Sequence, residues 1–344
     1  MGNNSVDILV IGAGICGIML ARELEKNKHL TYEVWDKGRS VGGRMATRRM
    51  SSDGREKADH GAQFFTARDP RTQSEIAKWA EQGWIMHWPD FSPNGIADPN
   101  WVAKQGMNQL AKQLAEPCLT HVRTNRQVSK VSVQLGEGFR VEAIDENRNE
   151  HVVLARDVIF TAPVPQAMAM CARGDISISP EVIDRLKDIG YAPCIAAMIR
   201  CAAPQSWVLP LMQHKQWPRD RGVRFLAENQ QKGISVAPVL TVHMDAEWSS
   251  AHFERTDLEL KALVSEALNV WMNTDQMLDV TIKKWRYAQA VQTINEPFIC
   301  AELAHSGGRL YFAGDAFGIA GNNRAGRLEH AMLSGWRVAD TLVE

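Results

Sequence analysis

The chain is short of tyrosine, with four in 344 residues, and it has no excess of either charge. Lys and Arg number 39 against 40 Asp and Glu, a net charge of −1. That leaves no basic surplus to hold nucleic acid or an anionic membrane. No apolar run is long enough to span a bilayer. The six cysteines, at 16, 118, 171, 194, 201 and 300, form no CxxC pair. A chain with a large core needs no disulfides, so they are expected as reduced, buried thiols of a cytoplasmic protein. Residues 1–6 carry no basic segment, and Gly12, Gly14 and Gly17 break the apolar run behind them. No signal peptide is therefore expected, and Val6 stands where a myristoylation motif needs Ser or Thr. GxSxG, HExxH and CxxC spacings are all missing, which argues against a serine hydrolase and a zinc site. There is no internal repeat and no low-complexity linker. A length of 344 residues is long for one core, so two lobes are expected, interleaved rather than strung in tandem.

The pattern of apolar residues opens as βαβ: a strand over 6–11, a helix over 15–24 and a strand over 31–35. A Gly- and Arg-rich loop follows over 37–49, then an extended element over 59–65, a helix over 71–81, an aromatic loop over 84–99 and a helix over 108–114. From 127 the period becomes two, giving strands over 128–135, 139–144 and 152–160 that end at Pro163 and Pro165. A helix is expected over 180–189 and further strands over 196–201, 222–228 and 239–244. An amphipathic helix over 258–271 groups Leu258, Leu260, Leu263, Val264, Ala267 and Leu268 on one face. Strands over 280–287 and 310–313 and a closing helix over 328–343 complete the chain.

Gly12, Gly14 and Gly17 have GxGxxG spacing between the first strand and the first helix. The first glycine permits the turn, the second lets the backbone approach a pyrophosphate, and the third lets helix pack on strand. Free amides at the helix start attract the phosphates. Asp36 ends the next strand, where a carboxylate accepts from ribose hydroxyls. Gly42-Gly43-Arg44 adds a second clamp that an NAD site does not need, with Arg44 making a charge-assisted contact. Near the other terminus, Ala313-Gly314-Asp315 follows a strand, and Asp315 suits a ribityl chain or pyrophosphate linker. Arg327, Glu329 and Ala331 open a helix whose positive end offsets charge on a reduced flavin. FAD is the ligand long enough to meet both ends.

These residues together resemble the amine-oxidase-like flavoproteins, and more closely the renalase family. The resemblance runs through GAGICG, WDKGRSVGGRM, ADHGAQFF, APVPQ (162–166), VRF (223–225), VHM (242–244), KKWRYAQ (283–289) and the terminal AGD. DHGAQ-F combined with KWR is its most specific part. The resemblance implies an α/β (α+β) fold in which a Rossmann-like FAD domain (1–65, 101–165, 298–344) interleaves with a mixed-sheet substrate domain (66–100, 166–297). It implies noncovalent FAD held by Gly12, Ala13, Gly14, Gly17, Asp36, Lys37, Gly43, Arg44, Met45, His60, Gly61, Ala62, Gln63, Phe64, Val128, Gly314, Asp315, Arg327, Glu329 and Ala331. Val128 would serve through its backbone on the adenine side. His243 and Trp285 would lie at the flavin face, with Tyr287 and Gln63 beside them as catalytic groups. The implied reaction oxidises 2- or 6-dihydro isomers of NAD(P)H by hydride transfer to the flavin, with O2 reduced to H2O2. Two departures from the family are a longer basic loop from Arg48 and Arg49 through 51–57, and His330 where a small residue is usual.

A dihydropyridine gains aromaticity as it gives up hydride, so no strong base is required. The protein need only stack and orient the ring. Trp285 and Tyr287 share one strand face, which suits that task. Each feature also has a plainer reading: Trp285 and His243 as core residues, and Arg48 and Arg49 as a solvated loop, with His60 shaping the flavin turn. A true amine oxidase is one alternative, but its aromatic cage is hard to build when only Tyr287 is well placed. A lipid desaturase would need a membrane-dipping helix, and none is legible. A flavin-binding sensor without catalysis is the third.

Overall fold

The computed structural model describes residues 5–88, 99–213, 219–303, 305–318 and 327–343. The chain forms two compact units, one of residues 1–43, 111–190 and 290–344, the other of 44–110 and 191–289. Residues 44–65 and 101–110 therefore belong with the second unit, and 166–190 and 290–297 with the first, unlike the division expected from the motifs. The reason is local pairing. From Arg44 onward the chain bonds to its own unit, with Ala62 N donating to Arg44 O and His60 N to Ala46 O, both at 2.9 Å.

The first unit is a mixed sheet of eight strands. At its centre Arg309–Phe312, Glu150–Phe160, Ser5–Ile11, Tyr32–Trp35 and Val122–Arg123 run parallel in that order. Ile11 lies level with both Trp35 and Phe160, and Phe160 with Phe312, so four strands end together. That shared carboxyl edge is where open α/β sheets bind ligands. Ile8 to Ile11 are all buried, as in a parallel strand covered on both faces. Helix Ile15–Leu24 packs against Leu328–Val343, and Gly335 makes the approach possible, since a Cβ there would lie 2.4 Å from Cys16 O. Pro163 and Pro165 do end the strand, but they also start an unexpected helix, Val164–Arg173, because proline is tolerated in a first turn.

In the second unit, four strands are ordered Val223–Glu228, Val239–Met244, Gly190–Cys201, Met277–Gln292. Leu240, Val242 and Met244 share a core with Ile195, Ala197, Ile199 and Ile282 and with Leu260, Val264 and Leu268 of helix Asp257–Leu268. By alternation, Thr241 and His243 point to the opposite face. That helix is shorter than expected and starts in a capping box of Thr256 and Glu259. Its Leu258 is exposed rather than part of the apolar face. The aromatic loop expected over 84–99 instead begins as strand Ile85–Trp88, paired with Asn100–Ala103. The remainder, 89–98, lies outside the described residues. The extended element expected at 59–65 lies earlier, as Lys57–Asp59 paired with Thr47–Arg49. Arg48 and Arg49 thus sit on a hairpin strand, with 50–56 as its turn.

Candidate functional site

In the first unit the glycines fold into a shell of bare backbone. Gly12 has φ +117°, and a Cβ on it would lie 2.6 Å from Thr161 Oγ1. On Gly17 a Cβ would lie 2.0 Å from Gly12 O, so no side chain fits. Gly14 is different: a Cβ there meets nothing within 4 Å, because the turn faces open space. Gly42 N donates to Ala13 O at 2.7 Å, and Gly43 lies so close over Gly14 that a Cβ on it would come 3.2 Å from Gly14 Cα. Gly14 caps helix Ile15–Leu24 without a side-chain cap, so the positive helix end is left for an anion. Asp36 accepts from Ala13 N and Gly38 N, both at 2.6 Å, one on each oxygen. Each oxygen retains a lone pair for a ribose hydroxyl. Thr161, which no sequence motif marks, ties the turn down by donating to Gly12 O at 2.8 Å.

Further expected residues lie in the same unit. Arg126 N donates to Asp36 O, and Val128 follows two residues on, opposite Ala143. Lys37 is exposed. Gly314, at φ +137°, follows strand Arg309–Phe312 by one residue, and its N–H donates to Ser334 Oγ at 2.9 Å. Asp315, Glu329 and Ala331 are buried, and Arg327 is half-buried. His330 is only 2% exposed, and neither ring nitrogen has a hydrogen-bond partner among the described residues. Burial pushes its pKa down. These residues fit FAD. A glycine shell with open space above Gly14 suits the pyrophosphate, and Asp36 the adenosine ribose.

In the second unit, Trp285, His60, Gln63 and His243 come together, and Tyr287 lies two residues beyond Trp285 on the same strand. Trp285 Nε1 donates to His60 O at 2.9 Å, and the two rings stack with centroids 5.5 Å apart. Lys283 Nζ sits 5.2 Å from the Trp285 ring centroid, as a residue two earlier on the same strand face should. Tyr287 meets Tyr191 edge-on at 5.7 Å, so a second tyrosine does reach the one singled out. Phe64 packs with Trp88 and Phe225, and Phe225 lies 6.1 Å from the His243 ring. Gly61 leaves no room for a side chain, since a Cβ would lie 1.9 Å from Arg44 O. Met45 is buried. Arg44 directs Nη1 to the carbonyls of Tyr287 and Ala288, at 3.4 and 3.3 Å.

Beneath these groups lies a polar network with no advance signal. Lys232 and Asp59, each 0% exposed, form a 2.7 Å ion pair. Thr47 Oγ1 and Met107 N also donate to the Asp59 carboxylate. Lys232 Nζ contacts Gln63 Oε1 at 3.4 Å. Gln63 Nε2 reaches Asp59 O at 2.6 Å, Gly61 O at 3.2 Å and His243 Nε2 at 3.4 Å. Thr241 Oγ1 donates to Asp59 O and accepts from Asn229. Burial pushes the Lys232 amine down while Asp59 pulls it back up. Burial also lowers His60 to about 4, helped by nearby Lys283 and Arg48. His243 is likewise at about 4, mainly through burial, against the upward pull of a hydrogen bond to the His60 backbone. Both imidazoles are therefore neutral at ordinary pH. All six cysteines are free, but Cys194 and Cys300 are only partly buried. Among the described residues no group of three His, Cys, Asp or Glu side chains could hold a metal ion, and no helix is long and apolar enough to cross a membrane.

Residues 85–343 match the profile of the flavin containing amine oxidoreductases, and 10–78 that of an NAD(P)-binding Rossmann-like domain. The chain belongs to the flavin containing amine oxidoreductase family, and it is an FAD-dependent oxidoreductase. Among individual relatives, it is 25% identical over 306 residues to renalase of Mus musculus, covering 84% of this chain and 86% of that one. Its fold matches a putrescine oxidase redesigned in cofactor binding, with a TM-score of 0.68 at 14% identity over 99% of both chains. A protein from Exiguobacterium described as a protoporphyrinogen oxidase matches equally well, at 0.68 and 13% identity over 99% of each.

Proposed function

We propose that this enzyme oxidises a dihydronicotinamide nucleotide, a 2- or 6-dihydro isomer of NAD(P)H, to NAD(P)+. In this reading the first unit holds FAD through Gly12, Gly14, Gly17, Asp36, Gly42, Gly43 and Gly314. The second unit receives the substrate beside Trp285, Tyr287, His243 and Gln63. The reaction balances as dihydronicotinamide nucleotide plus O2 plus H+ giving NAD(P)+ plus H2O2. FAD, when bound, supplies the two-electron acceptor that takes the hydride and passes the electrons to O2. The free thiols accord with a reducing, cytoplasmic setting.

The observation that carries this reading is the neutrality of the two imidazoles in the cluster. His60 and His243 are both held at about 4, and Gln63 and Trp285 do not titrate. Such a set cannot act as a strong base at neutral pH, but it can stack and orient a ring. Hydride loss that aromatises its donor asks for no more. A second reading, an amine as substrate, is favoured by the Tyr191–Tyr287 pair, which supplies two walls of an aromatic enclosure. An anaerobic titration of the purified holoenzyme separates them. Rapid bleaching of the visible flavin band by the 2- or 6-dihydro forms, reversed by air with peroxide, supports the first reading. Bleaching by an amine panel alone replaces it with the second, and no bleaching by either removes both.

A further inference from the structure

His330, the third residue of helix Leu328–Val343, is 2% exposed, and neither of its ring nitrogens has a hydrogen-bond partner among the described residues. Buried polar groups left in that condition are rare in folded proteins, and each calls for a partner. Four residues on, Ser334 shares the helix face of His330. Its hydroxyl accepts from Gly314 N at 2.9 Å and donates to Pro297 O at 2.6 Å, so that face is turned toward the Gly314-Asp315 turn. Asp315 is within electrostatic reach of the imidazole, and burial holds the ring neutral. Thr161 lies between this turn and the phosphate turn. Its Oγ1 donates to Gly12 O at 2.8 Å, and its carbonyl oxygen is 3.7 Å from where a Gly314 Cβ would stand.

The strand order sets the order of contacts along the ligand. Strands Tyr32–Trp35, Ser5–Ile11, Glu150–Phe160 and Arg309–Phe312 lie side by side and lead respectively to Asp36, Gly12, Thr161 and Gly314. Asp36 suits the adenosine ribose, and Gly12 to Gly14 suit the pyrophosphate. Gly314 stands two strands beyond Gly12, roughly 10 Å at about 4.8 Å per strand. That is the stretch in which the ribityl chain of FAD must run. A neutral imidazole has one donor and one acceptor nitrogen, and a pyrophosphate, which only accepts, cannot satisfy both. Hydroxyl groups donate and accept. We propose that His330 binds FAD by hydrogen-bonding its ribityl hydroxyls. A small residue is usual at this position in the family that the sequence resembles, so the contact is not part of the family pattern. It rests on the reading that Asp36 and the glycine shell hold the ADP half of FAD.

The test compares FAD with ADP, which lacks the flavin and its ribityl chain, in titrations of the full-length apoprotein. His330→Phe keeps a buried ring without nitrogens. It should weaken FAD by about tenfold or more, the loss expected for buried hydrogen bonds, while leaving ADP within about twofold of wild type. His330→Gln, which restores one donor and one acceptor, should recover most of the loss. FAD analogues each lacking one ribityl hydroxyl give a second measurement. At least one should bind wild type more weakly than FAD does, and bind His330→Phe with no such penalty. Equal FAD affinity in wild type and His330→Phe, an equal loss of FAD and ADP, or analogues penalised alike in both proteins would overturn the proposal. If His330→Phe does not fold, 15N spectra of histidine-labelled wild type decide. The His330 ring nitrogens should shift on adding FAD and not on adding ADP, and an unmoved ring would overturn the contact. Asp36→Ala should weaken both ligands. Unchanged affinities there would remove the ADP seat and this proposal with it, whereas failure at His330 alone leaves that seat standing.

Discussion

At position 17 a methyl group would meet Gly12 O at 2.0 Å, while at position 14 it would meet no protein atom within 4 Å. The two glycines are thus required for different reasons, and single substitutions separate them. Gly17→Ala should damage the turn itself, lowering both stability and flavin content. Gly14→Ala should leave the apoprotein's unfolding midpoint nearly unchanged, because Gly14 has φ −72°, which alanine adopts freely. It should nevertheless weaken FAD binding by about tenfold or more, roughly 1.4 kcal/mol, since the methyl occupies the space a phosphate needs. Fluorescence titration of apoprotein with FAD gives the affinity, and thermal melts give the stability. Equal FAD affinity in Gly14→Ala and wild type would mean that the open face of the turn is not the phosphate seat. These residues were legible in the sequence because their constraint is local. A spacing of five residues, a strand before and an acid after encode the turn. Lys232 was not legible, because a lysine is nearly always solvated and its partner Asp59 lies 173 residues away.

Strands and helices were legible to the extent that each carries its own periodicity. Helices Ile15–Leu24 and Leu328–Val343 lie where the apolar spacing puts them. The short pairs Thr47–Arg49 with Lys57–Asp59 and Ile85–Trp88 with Asn100–Ala103 were not expected, since three or four residues are too few to show a period and the pairing is what defines them. It is the first of these hairpins that carries Asp59 into the second unit, beside Thr241 of the sheet. The buried pair is therefore a cross-element tie, and its loss should register as stability. Lys232→Met strands an uncompensated carboxylate and should cost about 3–5 kcal/mol. The double variant with Asp59→Asn should recover much of this, because the remaining polar group is neutral and Thr47 and Met107 N still donate to it. Urea unfolding of the holoenzyme measures both. Additive losses in the double variant would show that charge burial is not what makes the lysine necessary.

For the molecule as a whole, pH is the variable that sums these local effects. Two histidines, His60 and His243, have folded values of about 4 against 6.5 when unfolded. At pH 7 both forms of the chain leave them neutral, and they add nothing. As pH falls from about 6.5 toward 4 the unfolded chain takes up protons that the folded chain refuses, so stability is lost across that window and levels off below it. Glu228 opposes this, since burial raises its pKa and makes the folded state bind a proton sooner. Below pH 4 the sign is that of ordinary acid denaturation. Glu259, held at about 2 chiefly by the Thr256 backbone, has its stabilisation removed as it protonates. Between pH 7 and 4.5 each histidine should contribute a loss of roughly 2 kcal/mol. Denaturant unfolding at the two pH values, for wild type and His243→Gln, isolates one of them. The variant should lose less stability on acidification by about that amount. An identical loss in both would mean that His243 is already protonated, or free to become so, in the folded protein. It would also undercut the neutral imidazoles on which the hydride-transfer reading depends.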